Sequence, residues 1–462
     1  MNLLSNIMNL ILIFISLISI YTKESSMLTV PLKVIHNAFE KYPLPNVTKL
    51  TIEKEVEVQT IFGPKMRKLK EEIHGNITKL ECQLFAAEID IGDGQIFNVI
   101  LDTGSVDLWV PGEGSVDQYH IDHHYNPNAS ETCRELTDTF KIQYGTGNTE
   151  GRYYTDYISF ITDDIFPIKF GVADKTNFDV DGADGIMGLA KQYTLDQSSL
   201  ILTMYMKNKI TTKSFSFKYF PEDYVEMYLG EEHSDFNKEI NPNNTADCQL
   251  LNKGVYDKLL WTCRLYNFGL ISEDREQNAS TTYSKSFLFD TGSNTMMLPL
   301  EILTNLERQL PLFECFITTL KEYGDDVKLI GCSDKDKLPN IFIEVGDNYL
   351  ILDRELMYFE DQENSLYILN AQFQDKMDIA LIGQPFFRLF HTRFDLENKR
   401  LKFYTEDATK IIFASEKEEE KEIDYEKIII ACVVVLAFAI ALFFIIKCIR
   451  KTCFATSKII KS

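Results

Sequence analysis

The 462-residue chain is expected to fold as a mainly β (all-β) bilobal body followed by a C-terminal transmembrane helix. Three observations lead there. Short alternating runs rich in aromatic and β-branched residues fill residues 80–405, with no long amphipathic helical pattern before residue 410. One phrase occurs twice, Ile100-Leu101-Asp102-Thr103-Gly104-Ser105 and Leu288-Phe289-Asp290-Thr291-Gly292-Ser293, 188 residues apart. Each copy is followed by an apolar run (Leu108-Trp109-Val110-Pro111, Met296-Met297-Leu298-Pro299) and later by an apolar-apolar-glycine triplet, Ile186-Met187-Gly188 or Leu381-Ile382-Gly383. A period this long duplicates a whole lobe, not a solenoid unit.

Taken in order, residues 1–22 read as a secretory signal with an apolar stretch over 8–20. No Lys or Arg precedes Lys23, which leaves an uncleaved anchor as the alternative. Residues 23–75 read as a propeptide. Their basic residues Lys54, Lys65, Arg67, Lys68 and Lys70 can neutralise an acidic cleft near neutral pH and leave it when the carboxylates protonate. The acids Glu53, Glu55 and Glu57 keep a solvated linker as the other reading. Residues 76–250 form the first lobe. In it a hairpin over 84–100, turning at Gly92-Asp93-Gly94, feeds Asp102, and a second hairpin turns at Tyr144-Gly145-Thr146-Gly147 with glycines suited to positive φ. Residues 251–405 repeat the plan as the second lobe.

Residues 406–427, with the run Glu416-Lys417-Glu418-Glu419-Glu420-Lys421-Glu422, read as an acidic stalk. Residues 428–446 carry no charge and are long enough to cross a bilayer. The tail 447–462 holds Lys447, Arg450, Lys451, Lys458 and Lys461 without an acid, so the positive-inside bias sets it in the cytosol. The expectation is a single-pass type I protein of the secretory pathway, its body lumenal or extracellular.

The net charge of −22 argues against nucleic-acid binding, because no basic excess faces a phosphate backbone. Of nine cysteines, Cys82, Cys133, Cys248, Cys263, Cys315 and Cys332 precede the span, an even number that fits an oxidising compartment. Pairing nearest neighbours keeps the loops local: Cys82 with Cys133, Cys248 with Cys263, Cys315 with Cys332. Sequons at Asn46, Asn76, Asn128, Asn243 and Asn278 are compatible with a glycoprotein. None of the six cysteines has metal-site spacing, and His120, His123 and His124 sit in a polar loop that reads as solvated. No metal and no cofactor are expected.

Two carboxylates within hydrogen-bonding reach cannot both ionise easily, so they share a proton and titrate as a pair. One can then activate water while the other, protonated, hydrogen-bonds a substrate carbonyl. Gly104 and Gly292 let backbone N–H groups approach the carboxylates, Thr103 and Thr291 can hold the opposing loop, and Ser105 and Ser293 can bond the outer oxygen of their own Asp. On these residues the chain resembles the pepsin-like aspartic protease family, in which two carboxyls share one proton. The resemblance covers residues 80–405. Asp102 through Pro111 matches the first catalytic motif with its Trp109; Tyr144-Gly145-Thr146-Gly147 the flap tip; Asp184-Gly185-Ile186-Met187-Gly188-Leu189 the loop beneath the first motif; Asp290-Thr291-Gly292-Ser293 the second motif. Leu381-Ile382-Gly383-Gln384-Pro385-Phe386-Phe387-Arg388, continuing to Phe394-Asp395, is similar to the closing signature.

The resemblance implies an endopeptidase with Asp102 and Asp290 catalytic, a flap carrying Tyr144, Gly145 and Thr146 against Trp109, an acid pH optimum, a zymogen, and an extended peptide or protein substrate. Cys315 and Cys332 fit the family's usual second-lobe bridge. The chain departs from the pattern in lacking a tight cysteine pair after the first motif, and in Ala183, where many relatives carry a large aromatic near the S1 wall. The order of segments resembles that of β-secretase and of membrane-bound members of the parasite plasmepsin group. A monomer is expected.

Overall fold

The structure is a computed structural model. It describes residues 28–36, 49–60, 63–74 and 83–413, the last with short breaks at 93, 118–120, 145–146, 161–164, 178–181, 193–198, 221–223, 242, 323–324, 362–365, 376 and 378. The expected signal, span and tail, together with Cys82, His120, Gly145 and Thr146, lie outside the described residues. Among those described, no helix is long and apolar enough to cross a membrane. The chain divides into two units, 1–414 and 415–462, and the second lies wholly outside the described residues.

Two large sheets make the first unit, one of 13 strands and one of 14. Each contains the same local device. In the first sheet, Gln83–Ile91 and Gln95–Asp102 form the expected hairpin, joined through Gly92 and Gly94 at φ of +53° and +93°. A side chain at Gly92 would overlap Asp156, so only glycine fits both the backbone and the space. The short strand Gly185–Gly188 then inserts parallel to Gln95–Asp102, with Gly188 opposite Asp102, and antiparallel to Leu108–Asp117. In the second sheet Asn278–Phe289 pairs parallel with Ala380–Ile382, Phe289 opposite Ile382, and Ala380–Ile382 also pairs with Met296–Pro299. The last residues of both Asp-bearing strands are buried on both faces, which is why they read as continuous apolar runs and not as alternation.

The sheets do not follow the sequence boundary at 250/251. His391–Asp395 pairs with Ser214–Phe220, and Arg400–Tyr404 with Thr245–Gln249, so the end of the second lobe returns to the first sheet. The physical reason is aromatic. Phe394 stacks on Phe215 with ring centroids 4.9 Å apart, and Trp261 meets both rings edge-on. One buried cluster therefore runs through both lobes. The body also continues past residue 405, because Ile411–Phe413 pairs with Asn348–Leu352 and Ile411 is buried. Residues 411–413, expected to belong to the stalk, are thus part of the body.

Two parts of the expected propeptide have a place in these sheets. Leu28–His36 lies between Tyr224–Leu229 and Gln83–Ile91. Lys49–Thr60 and Gly63–His74 form a hairpin whose first strand joins Cys315–Glu322 through Thr51 and Ile52. Its backbone register sets Lys70 opposite Glu53 and Lys68 opposite Glu55. Disulfides close Cys248 to Cys263 and Cys315 to Cys332. Cys133 is a free, half-buried thiol, and the partner expected for it, Cys82, is outside the described residues.

Candidate active site

The two Asp-Thr-Gly-Ser loops meet where the two lobes join. Asp102 and Asp290 are 6% and 9% exposed, and their side chains hydrogen-bond each other. Each carboxylate accepts the N–H of the glycine two residues on: Gly104 to Asp102 at 2.8 Å, Gly292 to Asp290 at 2.9 Å. The same glycines face the opposite carboxylate. A Cβ on Gly104 would lie 2.7 Å from the Asp290 carboxyl, and one on Gly292 only 2.4 Å from Asp102 Oδ1. Each loop thus needs glycine to make room for the other loop's acid.

The threonines lock the loops together in a crossed pattern. Thr103 Oγ1 donates to the Phe289 carbonyl (2.8 Å) and accepts the Thr291 N–H (2.9 Å). Thr291 Oγ1 donates to the Leu101 carbonyl (2.6 Å) and accepts the Thr103 N–H (3.1 Å). All are buried, so their loss would leave unsatisfied polar groups under the dyad. The serines behave differently from the expectation. Ser293 Oγ donates to the Thr295 carbonyl at 3.1 Å, and Ser105 Oγ lies buried beside the Tyr144 hydroxyl without a bond of ordinary length. Neither serine bonds its own Asp.

Burial raises the Asp290 carboxyl well above the usual carboxylate range; the charge of Asp102 and a hydrogen bond to its side chain push the same way, and the Gly292 and Gly104 N–H groups oppose them. The two acids therefore hold one proton between them and titrate as a pair. Over the dyad, Trp109 Nε1 donates to the Tyr144 hydroxyl at 2.7 Å. Burial first, then the charge of Asp102, keeps that phenol protonated far above its usual range. Arg134–Gln143 and Asn148–Ser159 form the hairpin, Gln143 opposite Asn148, and Tyr144 N–H donates to the Gly147 carbonyl at 2.8 Å. Ala183 is buried in the cluster that contains Trp109 and touches Tyr144, so the wall there is built of a small residue.

Several supporting residues went unnoticed in the sequence. Gln384 holds the second loop from below, its Nε2 on the Thr291 carbonyl (2.6 Å) and its N–H on the Ser293 carbonyl (2.8 Å). Ala190 N–H bonds the Ser105 carbonyl in the matching way at 2.9 Å, and Gln192 Nε2 donates to the Val106 carbonyl. The repeated apolar-apolar-glycine triplet was the signal, since both glutamines follow it closely. Gln143 Nε2 fastens the hairpin tip to the carbonyls of Tyr144 and Gly147 (2.9 and 3.0 Å). His123 and His124 are not simply solvated: His123 Nδ1 lies 2.8 Å from Asp184, and His124 Nε2 lies 3.4 Å from Asp117. Each has its own carboxylate, so the pair does not converge on one point.

A second cluster lies in the first sheet, away from the dyad loops in sequence. Asp235 accepts from Lys218 Nζ (2.8 Å) and faces His391 Nδ1 (2.9 Å) and His233 Nδ1 (3.2 Å), while His391 Nε2 meets Ser216 Oγ at 2.9 Å. His233, Asp235 and His391 have the spacing of a metal site. Lys218 already neutralises the carboxylate, and both ring nitrogens of His391 are engaged. Burial pushes His391 down to about 4 against the pull of Asp235; Asp235, which burial alone would raise, is held at about 2 by His391 and Lys218. A histidine with a lowered folded pKa stabilises the fold above its unfolded value of 6.5, and that contribution is lost as pH falls through about 4. His391→Phe should flatten the fall in urea-unfolding midpoint across that window; a fall parallel to wild type would refute the assignment.

A family model described as eukaryotic aspartyl protease matches residues 84–405. Among curated relatives, gastricsin of Oryctolagus cuniculus is 25% identical over 334 residues, covering 69% of this chain and 80% of that one. The vacuolar aspartic protease of Candida albicans is 26% identical over 345 residues (69% and 74%), and vacuolar protease A of Aspergillus fumigatus 26% over 333 (69% and 78%).

Proposed function

We propose a function from one premise: this chain belongs to the eukaryotic aspartyl protease family and is an aspartic endopeptidase. The finer reading is a membrane-anchored acid endopeptidase of the secretory pathway, made as a zymogen. A single observation carries the mechanism, the two buried carboxyls brought face to face by crossed threonines and paired glycines. Asp102 acts as base on a water. Asp290 donates to the scissile carbonyl, so the tetrahedral intermediate forms without a covalent enzyme adduct. Tyr144, tied to Trp109, covers the bound peptide and excludes bulk water. The small wall at Ala183 favours a bulky side chain in the adjoining subsite.

Acid favours this state, because Asp290 must keep its proton. The stability that His391 loses toward pH 4 argues for mildly acidic work over strongly acidic work. Two of the relatives are named as vacuolar, which agrees with an acidic internal compartment. Anchoring rests on the uncharged run 428–446 and the basic tail that follows it. The zymogen reading rests on the basic segment 23–75. Its removal would take Leu28–His36 out of the first sheet and open two strand edges, so activation and a local strand rearrangement would occur together.

The test uses full-length protein. It should cleave an extended peptide at pH ~5, and a peptide analogue bearing a hydroxyl in place of the scissile carbonyl should inhibit far more tightly than substrate binds. It should stay with membranes through an alkaline wash and be released by truncation after residue 413. N-terminal sequencing of the mature form should begin beyond residue 36. No cleavage at any acidic pH would refute the enzyme reading. Release of the intact chain by alkaline wash would refute only the anchor, and a mature start before Leu28 only the propeptide.

A further inference from the structure

The two catalytic loops are joined by a second route beneath the threonine grip. Leu189 N–H donates to the Asp102 carbonyl at 2.7 Å, and the Leu189 carbonyl accepts the indole N–H of Trp261 at 2.7 Å. The Trp261 carbonyl accepts the Phe289 N–H at 3.1 Å, and the Phe289 carbonyl accepts the Thr103 hydroxyl at 2.8 Å. Thr103 follows Asp102 and Phe289 precedes Asp290, so this circuit closes on the dyad.

Trp261 is well suited to hold that position. It is 2% exposed, and its ring sits edge-on to Phe215 and Phe394, with centroids 5.7 and 5.2 Å away. The ring cannot turn without displacing both, so the direction of its N–H is set by packing. A parallel tie lies next to it. Lys191 N–H donates to the Leu259 carbonyl (2.8 Å), and its buried ammonium donates to the carbonyls of Leu251 (3.2 Å) and Asp257. Residues 189–191, which brace the Asp102 loop, are thereby fixed to residues 251–261, which brace the Asp290 strand.

We infer that Trp261 is a positioning residue for the dyad: its indole N–H, acting through Leu189, sets the spacing of Asp102 and Asp290. The inference rests on the aspartic-dyad reading. Without that N–H the Leu189 carbonyl becomes an unsatisfied buried acceptor, and the loop shifts to find another donor. A small shift is costly for a reaction that depends on two carboxyls sharing one water. It also separates the acids and weakens the repulsion that keeps Asp290 protonated.

Two variants test this in the full-length enzyme. Trp261→Phe keeps an aromatic ring against Phe215 and Phe394 and leaves the net charge unchanged. Trp261→benzothienylalanine keeps the two-ring shape and removes only the donor. For both, kcat on an extended peptide should fall about tenfold with KM within about twofold of wild type. The upper limb of the kcat/KM profile should move to lower pH. A benzothienylalanine variant with wild-type kcat and pH profile would overturn the inference, even if Trp261→Phe is impaired or unfolded, because packing alone would then explain Trp261. A wild-type enzyme that cleaves nothing would overturn the dyad reading itself.

Discussion

Replacing Asp290 by Asn should lower peptide cleavage by at least about 10³-fold while leaving the fold intact. An amide at this place keeps the shape and accepts the Gly292 N–H, but it cannot supply the proton that Asp290 gives to the substrate carbonyl. Asp102→Asn should be equally damaging for the opposite reason, since it removes the base. The two variants differ in a second readout. A carboxyl whose folded pKa is raised stabilises the fold at pH below its unfolded value, and the contribution is lost as pH rises through the raised folded one. Wild type carries this liability at Asp290 because burial and the Asp102 charge oppose ionisation. Asp290→Asn should therefore lose less melting temperature than wild type as pH rises above the ordinary carboxylate range. Measuring kcat/KM and thermal unfolding on the same preparations checks both. Near-normal cleavage by either variant would end the dyad mechanism.

A single methyl group placed between the loops should be almost as harmful. Gly292→Ala would set its Cβ 2.4 Å from Asp102 Oδ1, and Gly104→Ala would set one 2.7 Å from the Asp290 carboxyl. Neither acid can move far, because each is clasped by a backbone N–H and rides on the crossed threonines. The overlap has to be relieved by parting the lobes or turning a carboxylate away. We expect kcat to fall by about 10²-fold or more and the fold to lose roughly 1–3 kcal/mol. Gly254→Ala is the control. Its nearest contact is an ordinary 3.5 Å from Asp257, and its φ of −98° suits alanine. Wild-type turnover in Gly292→Ala would show that the loops are further apart than described.

The site was unusually legible because its parts are short strings that each do one physical thing. Asp102-Thr103-Gly104 and Asp290-Thr291-Gly292 announce an acid, a hydroxyl and a turn at a strand end, and their duplication announces the partner. Tyr144 and Trp109 could be named as a pair only through the family resemblance, and the structure joins them at 2.7 Å. Sequence boundaries fared less well. The strand Leu28–His36, the returning strands 391–404 and the short strand Ile411–Phe413 all pair across distances that no local pattern encodes. Local sequence says nothing of which edge they join. No motif in the sequence marks Trp261, since an indole N–H acquires a meaning only when a carbonyl 72 residues away stands opposite it.

The reaction class and the two acids proposed for it can be read from the chain alone, because a carboxylate at a glycine turn after an apolar strand is a local construction, written twice. The division of labour between the acids does not. Around Asp102 and Asp290 the adjoining residues are the same, Thr-Gly-Ser, so local chemistry would give them the same affinity for a proton. The tertiary structure breaks that symmetry. It brings Tyr144 and Trp109 over one side only, and burial together with the charge of Asp102 raises the Asp290 carboxyl well above the usual range. Desolvation and Coulomb repulsion act through space, between groups that the chain holds 188 residues apart, and folding alone brings those groups together.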